Sequence, residues 1–211
     1  YYSIITSKLV KESGKVVAFE PEPTNFKLLK FNLSKNNCSN VVCESLAASD
    51  EVGATHLYLN EDNLGDHRMF KTSLRRKRIR IQQIDIDSYP PASTEKIDFV
   101  KIDVQGAEHR VVSGMEHVIS NNRDIIKVAL EFWPNALDMA GNSADHLISL
   151  MAKLFSKFLV IDEPNETLFE VTLDQLAIMS RGSLRKKEDN QINILCFGSL
   201  QSFDAFLAKS P

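Results

Sequence analysis

Apolar positions along this chain fall into two recurring patterns. Short unbroken runs read as strands buried on both faces, while apolar residues spaced three and four apart read as helices that bury one face. Residues 1–12 predict a helix with Ile4, Ile5 and Leu9 on one side, stopping near Gly14. Residues 15–20 predict a short strand that ends in an acid; Pro21 and Pro23 break it. Thr24 is expected to cap a helix to about residue 35, with Phe26, Leu29 and Leu33 inward. Strands are predicted over 41–46 and 54–59, on either side of a polar turn at 49–53. A loop rich in Asn, Asp and Gly follows at 60–67. Ile79, Ile81, Ile84 and Ile86 then indicate an extended stretch whose two-residue period slips between Ile81 and Ile84. From Ile97 a buried strand runs to Asp103 and turns through Gly106 into a helix over about 106–120, with Val111, Met115 and Val118 inward. A strand over 125–132, a helix over 143–157 striped by Leu147, Leu150, Met151 and Leu154, and strands at 158–162 and 191–197 complete the series. A charged connection, 181–190, joins the last two strands.

Strands that alternate with helices imply a mainly parallel sheet covered on both faces. Ligands of such α/β sheets sit in the crevice outside the carboxyl ends of the strands. Three of the predicted strands end in acids, Glu20, Asp103 and Glu131, and that recurrence is the strongest chemical signal in the chain. Lys101 and Asp103 also lie two apart, on one face of an otherwise apolar run. Isolated buried charges are too costly to keep without partners, so this stretch marks a candidate site.

Composition narrows the classes. A chain of 211 residues that is 43% hydrophobic and 25% charged is expected to form one ordinary globular domain. A net charge of −3 argues against a general nucleic-acid binder. The only basic patch is Arg75-Arg76-Lys77-Arg78 with Arg68, Lys71 and Arg80; its one aromatic is Phe70, so base stacking is not supported and a solvated connection is the simpler reading. Cys38, Cys43 and Cys196 fit neither a disulfide framework nor a zinc pattern and read as free thiols of a reducing, cytoplasmic setting. The longest apolar run, 125–132, is broken by Lys127 and too short to span a bilayer, so no membrane partner is expected. His56, His117 and His146 have no partner at ligand spacing. Asp103 and Glu131 offer hard oxygen donors but no evident third ligand, so no metal is expected.

Four segments carry a resemblance: VVAFEPEPTNFKLLKFNL from Val16, GDHR at Gly65 to Arg68, IDFVKIDVQGAEHRVVSGM from Ile97, and LEFWP from Leu130. Together they resemble the FkbM family of S-adenosylmethionine-dependent methyltransferases, over about residues 1–197. The resemblance implies a class I methyltransferase fold, a seven-stranded Rossmann-like α/β sheet, mainly parallel with its last strand antiparallel. It also implies S-adenosylmethionine as cofactor and O-methylation of a hydroxyl on a sugar or natural-product-like small molecule. The opening strand and glycine-rich loop of that fold have no counterpart before Tyr1, and no G-x-G occurs elsewhere. That strand would be central, so its two neighbours are expected to lose ladder partners. The chain is therefore expected to be an N-terminally truncated copy of a longer enzyme. The alternative is a non-catalytic Rossmann-like binding module that has lost its cofactor loop. A nicotinamide dehydrogenase would need the same loop.

The resemblance assigns roles residue by residue. Glu20, followed by Pro21, would accept hydrogen bonds from the cofactor ribose, which suits an acceptor-only carboxylate. Ala47 to Asp50 would meet adenine, although a plain turn explains Asp50 equally well. Asp103 leads for chemistry: it would take the hydroxyl proton and attract the cationic cofactor by on the order of 4 kcal/mol at ~4 Å and an effective dielectric of ~20, before desolvation. Helix N-capping is its bland alternative. Glu131 would be the second acid, raising one pKa of the pair, or a structural partner of Lys101. His67 and Arg68 would face the substrate, with a salt-bridged loop anchor as the alternative. Glu108 and His109 are assigned to the substrate as well, although Glu108 also suits the helix dipole.

Overall fold

The structure is a computed structural model that describes residues 1–71, 76–187 and 190–208; Arg75 of the basic run lies outside them. The first helix, α1 (Tyr2–Val10), leads into β1 (Val16–Phe19), then α2 (Pro23–Lys35) and β2 (Val41–Glu44). The cap of α2 is Glu22 rather than Thr24: its carboxylate accepts the Asn25 N–H at 2.6 Å. Pro23 takes the first helical position, where its missing N–H is no loss. β3 (Ala47–Ser49), β4 (Gly53–Tyr58) and β5 (Arg78–Asp85) form a small sheet in the order β3-β5-β4. The slip in the isoleucine period is not a bulge. Gln83, 6% exposed, continues the buried alternation of Ile79 and Ile81, and Ile84 falls on the other face of the strand.

Next come α3 (Pro90–Thr94) and β6 (Phe99–Ile102). The single helix expected over 106–120 is two, α4 (Glu108–Ser113) and α5 (Glu116–Asn121). They part at Gly114, where a Cβ would lie 1.9 Å from the Ser49 carbonyl oxygen, so β3 can pass only over a glycine. β7 (Lys127–Phe132), α6 (Pro134–Met139), α7 (Ala144–Leu154), β8 (Lys157–Asp162), β9 (Thr167–Glu170), α8 (Leu173–Arg181), β10 (Ile192–Phe197) and α9 (Leu200–Leu207) follow. All four residues of β9 are exposed, so it leaves no burial pattern for the sequence to betray.

The largest sheet runs β6-β7-β10-β8-β9, with β6 and β7 parallel and β10 antiparallel to both its neighbours, as the resemblance implied. Alternation along β7 builds the core on both faces. Val128, Leu130 and Phe132 pack with Val112, Ile119 and Met151 on one side, while Ala129 joins Leu195, Phe197 and Phe203 on the other. The fold is α/β with a mixed sheet of Rossmann-like type, but not one continuous seven-stranded sheet. Among the described residues β1 pairs only with β2, and β6 only with β7. Both strands border one cavity of about 650 Å³, with Tyr2 and Ile4 of α1 beside it. No helix among the described residues is long and apolar enough to cross a membrane.

Candidate active site

The carboxyl ends of β6 and β7 lie side by side because the two strands pair in parallel, Ile102 opposite Leu130. Asp103 follows β6 directly and Glu131 is the fifth residue of β7. Between them stands Gln105, whose amide donates to Asp103 Oδ1 at 2.9 Å and to Glu131 Oε2 at 3.5 Å. Gln105 adopts φ 55° and Gly106 φ 99°. A positive φ at a non-glycine residue is uncommon and costs energy that the surroundings must hold. At Gly106 a Cβ would come within 2.8 Å of the Ala136 carbonyl oxygen, so α6 closes over this turn.

The two acids differ. Asp103 is well exposed, and Lys101 lies 3.8 Å from it. Glu131 is only 3% exposed. Burial pushes the Glu131 carboxyl up to about 8, the charges of Asp103 and Glu108 add to that, and Lys101 and Arg68 pull it back. Among the described residues Lys101 forms an ion pair with Asp103 and donates to Asn193 Oδ1 at 3.0 Å, so it acts on Glu131 through its charge rather than by a direct pair.

Glu108 does not face the crevice. It is fully buried, and its carboxylate accepts the N–H groups of Val104 at 3.1 Å and of Gly106 at 3.0 Å. It therefore clamps the strand-to-helix turn from beneath; burial raises its pKa to about 7 despite those bonds. His109 also lies away from the crevice. Its ring packs against His146 of α7 at 6.1 Å, and burial together with His146 lowers it to about 4.

Of the residues assigned to the cofactor, Glu20 borders the same cavity as Asp103. One of its oxygens accepts the Glu22 N–H at 2.9 Å, and burial raises its pKa. Pro21 follows it, half-buried. Ala47, 4% exposed, packs with Leu57 and Ile81 instead of facing the cavity. Asp50 is held by Arg110 at 2.7 Å; burial alone would raise its pKa, but that guanidinium and Ser49 lower it. Glu20 and Ala48 therefore border the cavity, Ala47 packs away from it, and Asp50 is paired with Arg110 through Oδ1.

The loop 60–68 reaches both ends of the crevice. The Leu64 carbonyl accepts from Asn25 of α2 at 2.9 Å. The Asn60 N–H donates to His67 Nδ1 at 3.0 Å, which places the ring proton on Nε2, and burial lowers the His67 pKa. Arg68 turns toward the end of β7, its guanidinium 4.9 Å from the centre of the Trp133 ring. Sequence reasoning gave Gln105 and Trp133 no role, although both lie in the quoted motifs. Gln105 matters through a backbone angle and Trp133 through a contact sixty-five positions away, and neither is a property of residue type. No group of three metal-ligating side chains occurs among the described residues.

The family model described as Methyltransferase FkbM domain matches residues 1–158. Among solved structures, "Crystal structure of Methyltransferase FkbM from Methylobacillus flagellatus KT" is similar at a TM-score of 0.48 and 14% identity, over 87% of this chain. The match covers 36% of that protein's chain, so this chain spans about a third of its length. No curated protein matches.

Proposed function

The chain belongs to the FkbM methyltransferase family, and on that premise we propose that it transfers a methyl group from S-adenosylmethionine to a hydroxyl of a sugar or natural-product-like small molecule. The observation that carries this reading is the pair of strand-end carboxylates, one exposed and one buried, bridged by Gln105. S-adenosylmethionine supplies an electrophilic methyl group on a cationic sulfur. Glu20 fits its ribose. Asp103 and Glu131 hold the acceptor hydroxyl, and Asp103 takes the proton released as the methyl–sulfur bond breaks and the new C–O bond forms. Positioning is the larger contribution for an in-line displacement, and general-base assistance adds about 10²–10⁴-fold. With Glu131 raised to about 8, it is largely protonated at neutral pH and donates to the acceptor oxygen, leaving Asp103 as the acceptor of the proton. A cytoplasmic setting belongs to the same proposal, supported by three free thiols.

Asp103→Asn keeps the shape and removes the base. Turnover is expected to fall at least about 10²-fold, while S-adenosylmethionine affinity stays within a few-fold because Asp103 is well exposed and solvent screens its attraction for the cofactor. Unchanged turnover would remove Asp103 from the mechanism. A non-catalytic binding module, the rival reading, would show no turnover in either form.

A further inference from the structure

Arg68 presents an unusual set of contacts. Its side chain is buried, the residue being 9% exposed, yet only Nε has a protein acceptor, Asp66 Oδ1 at 2.5 Å. Among the described residues its Nη1 and Nη2 have no hydrogen-bond partner, and Asp66 is its only ion-pair partner. A guanidinium carries five N–H donors in a fixed fork. The two η nitrogens are not among the fully buried unpartnered side-chain atoms, so this edge of an otherwise enclosed guanidinium reaches solvent and is open to an incoming acceptor.

The surroundings fix the fork. Arg68 exchanges backbone hydrogen bonds with Tyr58 at 2.8 and 3.1 Å, and its guanidinium lies over Trp133 at 4.9 Å and Phe70 at 5.8 Å. Asp66 cannot neutralise it alone, because Arg76 takes the other carboxylate oxygen at 2.6 Å and the Asp66 carbonyl at 2.8 Å. Two guanidinium groups therefore share one carboxylate, leaving a net positive charge at the end of β7. Burial would raise the Asp66 pKa, but Arg76, Asn60 and Arg68 hold it below the usual range, so the trio stays charged. The Asp66 pair and the Tyr58 backbone bonds anchor the loop through Nε and the main chain, which leaves the η edge for another acceptor. Among the described residues the guanidinium holds its η nitrogens clear of protein acceptors, against Trp133 and near enough to Glu131 for the two charges to interact.

We infer that Arg68 is a specificity-determining residue whose Nη1/Nη2 edge binds an oxyanion of the acceptor, so that the molecule methylated carries a carboxylate or phosphate near its reacting hydroxyl. The paired η nitrogens match either group in a two-point fork, which a lysine cannot reproduce. Glu131, largely uncharged at neutral pH, does not cancel the cation. The inference rests on the methyl-transfer reading for its biological meaning, but its test does not.

Trp133 is the chain's only tryptophan and lies against Arg68, so its fluorescence reports directly on that guanidinium. The protein is titrated with glucuronate, inorganic phosphate and glucose at constant ionic strength. A saturable change with glucuronate or phosphate, and none with glucose, is expected; the tighter of the two identifies the oxyanion. Arg68→Met should abolish the response and Arg68→Lys should weaken it at least tenfold, the second variant guarding against loss of fold in the first. No saturable response to either anion in the wild type, or an unaltered response in Arg68→Lys, would overturn the inference. Anion binding without methyl transfer to any acceptor would support it and defeat the methyltransferase reading. Turnover of neutral acceptors by a chain that ignores both anions would do the reverse.

Discussion

β1 and β7 are both short parallel strands, Val-Val-Ala-Phe against Lys-Val-Ala-Leu-Glu-Phe, yet none of the four residues of β1 is fully buried whereas five of the six in β7 are. Hydrophobicity does not separate them. What differs is the number of neighbours: β7 lies between β6 and β10, while β1 has only β2 and turns its other edge toward the cavity it shares with β6. Burial of a strand is thus set by the sheet around it more than by its own residues. The chemistry divides along the same line. Glu131 stands on the closed strand, while Glu20 and Asp103 follow the two strands whose open edges border the cavity.

The largest test of this contrast is a matched truncation. Leu130→Ala removes a fully buried side chain from the closed core and should cost about 2–5 kcal/mol in urea unfolding. Val17→Ala, beside the cavity, should cost well under that, about 1 kcal/mol or less. Equal losses would mean that the two regions share one packed core.

A smaller effect follows from the buried acids of the closed region. Glu131 and Glu108 are raised to about 8 and about 7, so between the ordinary carboxylate range and those values the folded state holds protons that the unfolded state has lost. Their contribution is complete at low pH and is lost as pH rises through the folded values. His67 and His109, both lowered, act with the opposite sign but finish below about 6.5. Between about pH 7 and 8.5 stability should therefore decline, by at most about 1.4 kcal/mol per pH unit for each group still protonated. Glu131→Gln should flatten that slope. An unchanged slope would mean that Glu131 is ionised in the folded protein at neutral pH.

Much of this was legible in the sequence, for identifiable reasons. The acids at 20, 103 and 131 stand at or near strand ends because apolar runs announce parallel strands and stop where the crevice begins. The antiparallel last strand and the open edges of β1 and β6 followed from the resemblance. Features that depend on distant backbone were hidden. The break at Gly114 is imposed by Ser49, and the role of Glu108 arises from N–H groups that a tight turn aims at it. Glu22 was the exception: an acid immediately before Pro23 was a readable cap signal.

The central claim is that Glu20 after β1 holds the cofactor while the acids at the ends of β6 and β7 perform the transfer. Calorimetry with S-adenosylmethionine tests it most directly. One-site binding heat is predicted for the wild type, weakened at least about tenfold in Glu20→Ala, consistent with the loss of a hydrogen bond to a charged group, and changed only a few-fold in Asp103→Asn. Absence of heat in the wild type, or binding indifferent to Glu20, would contradict it.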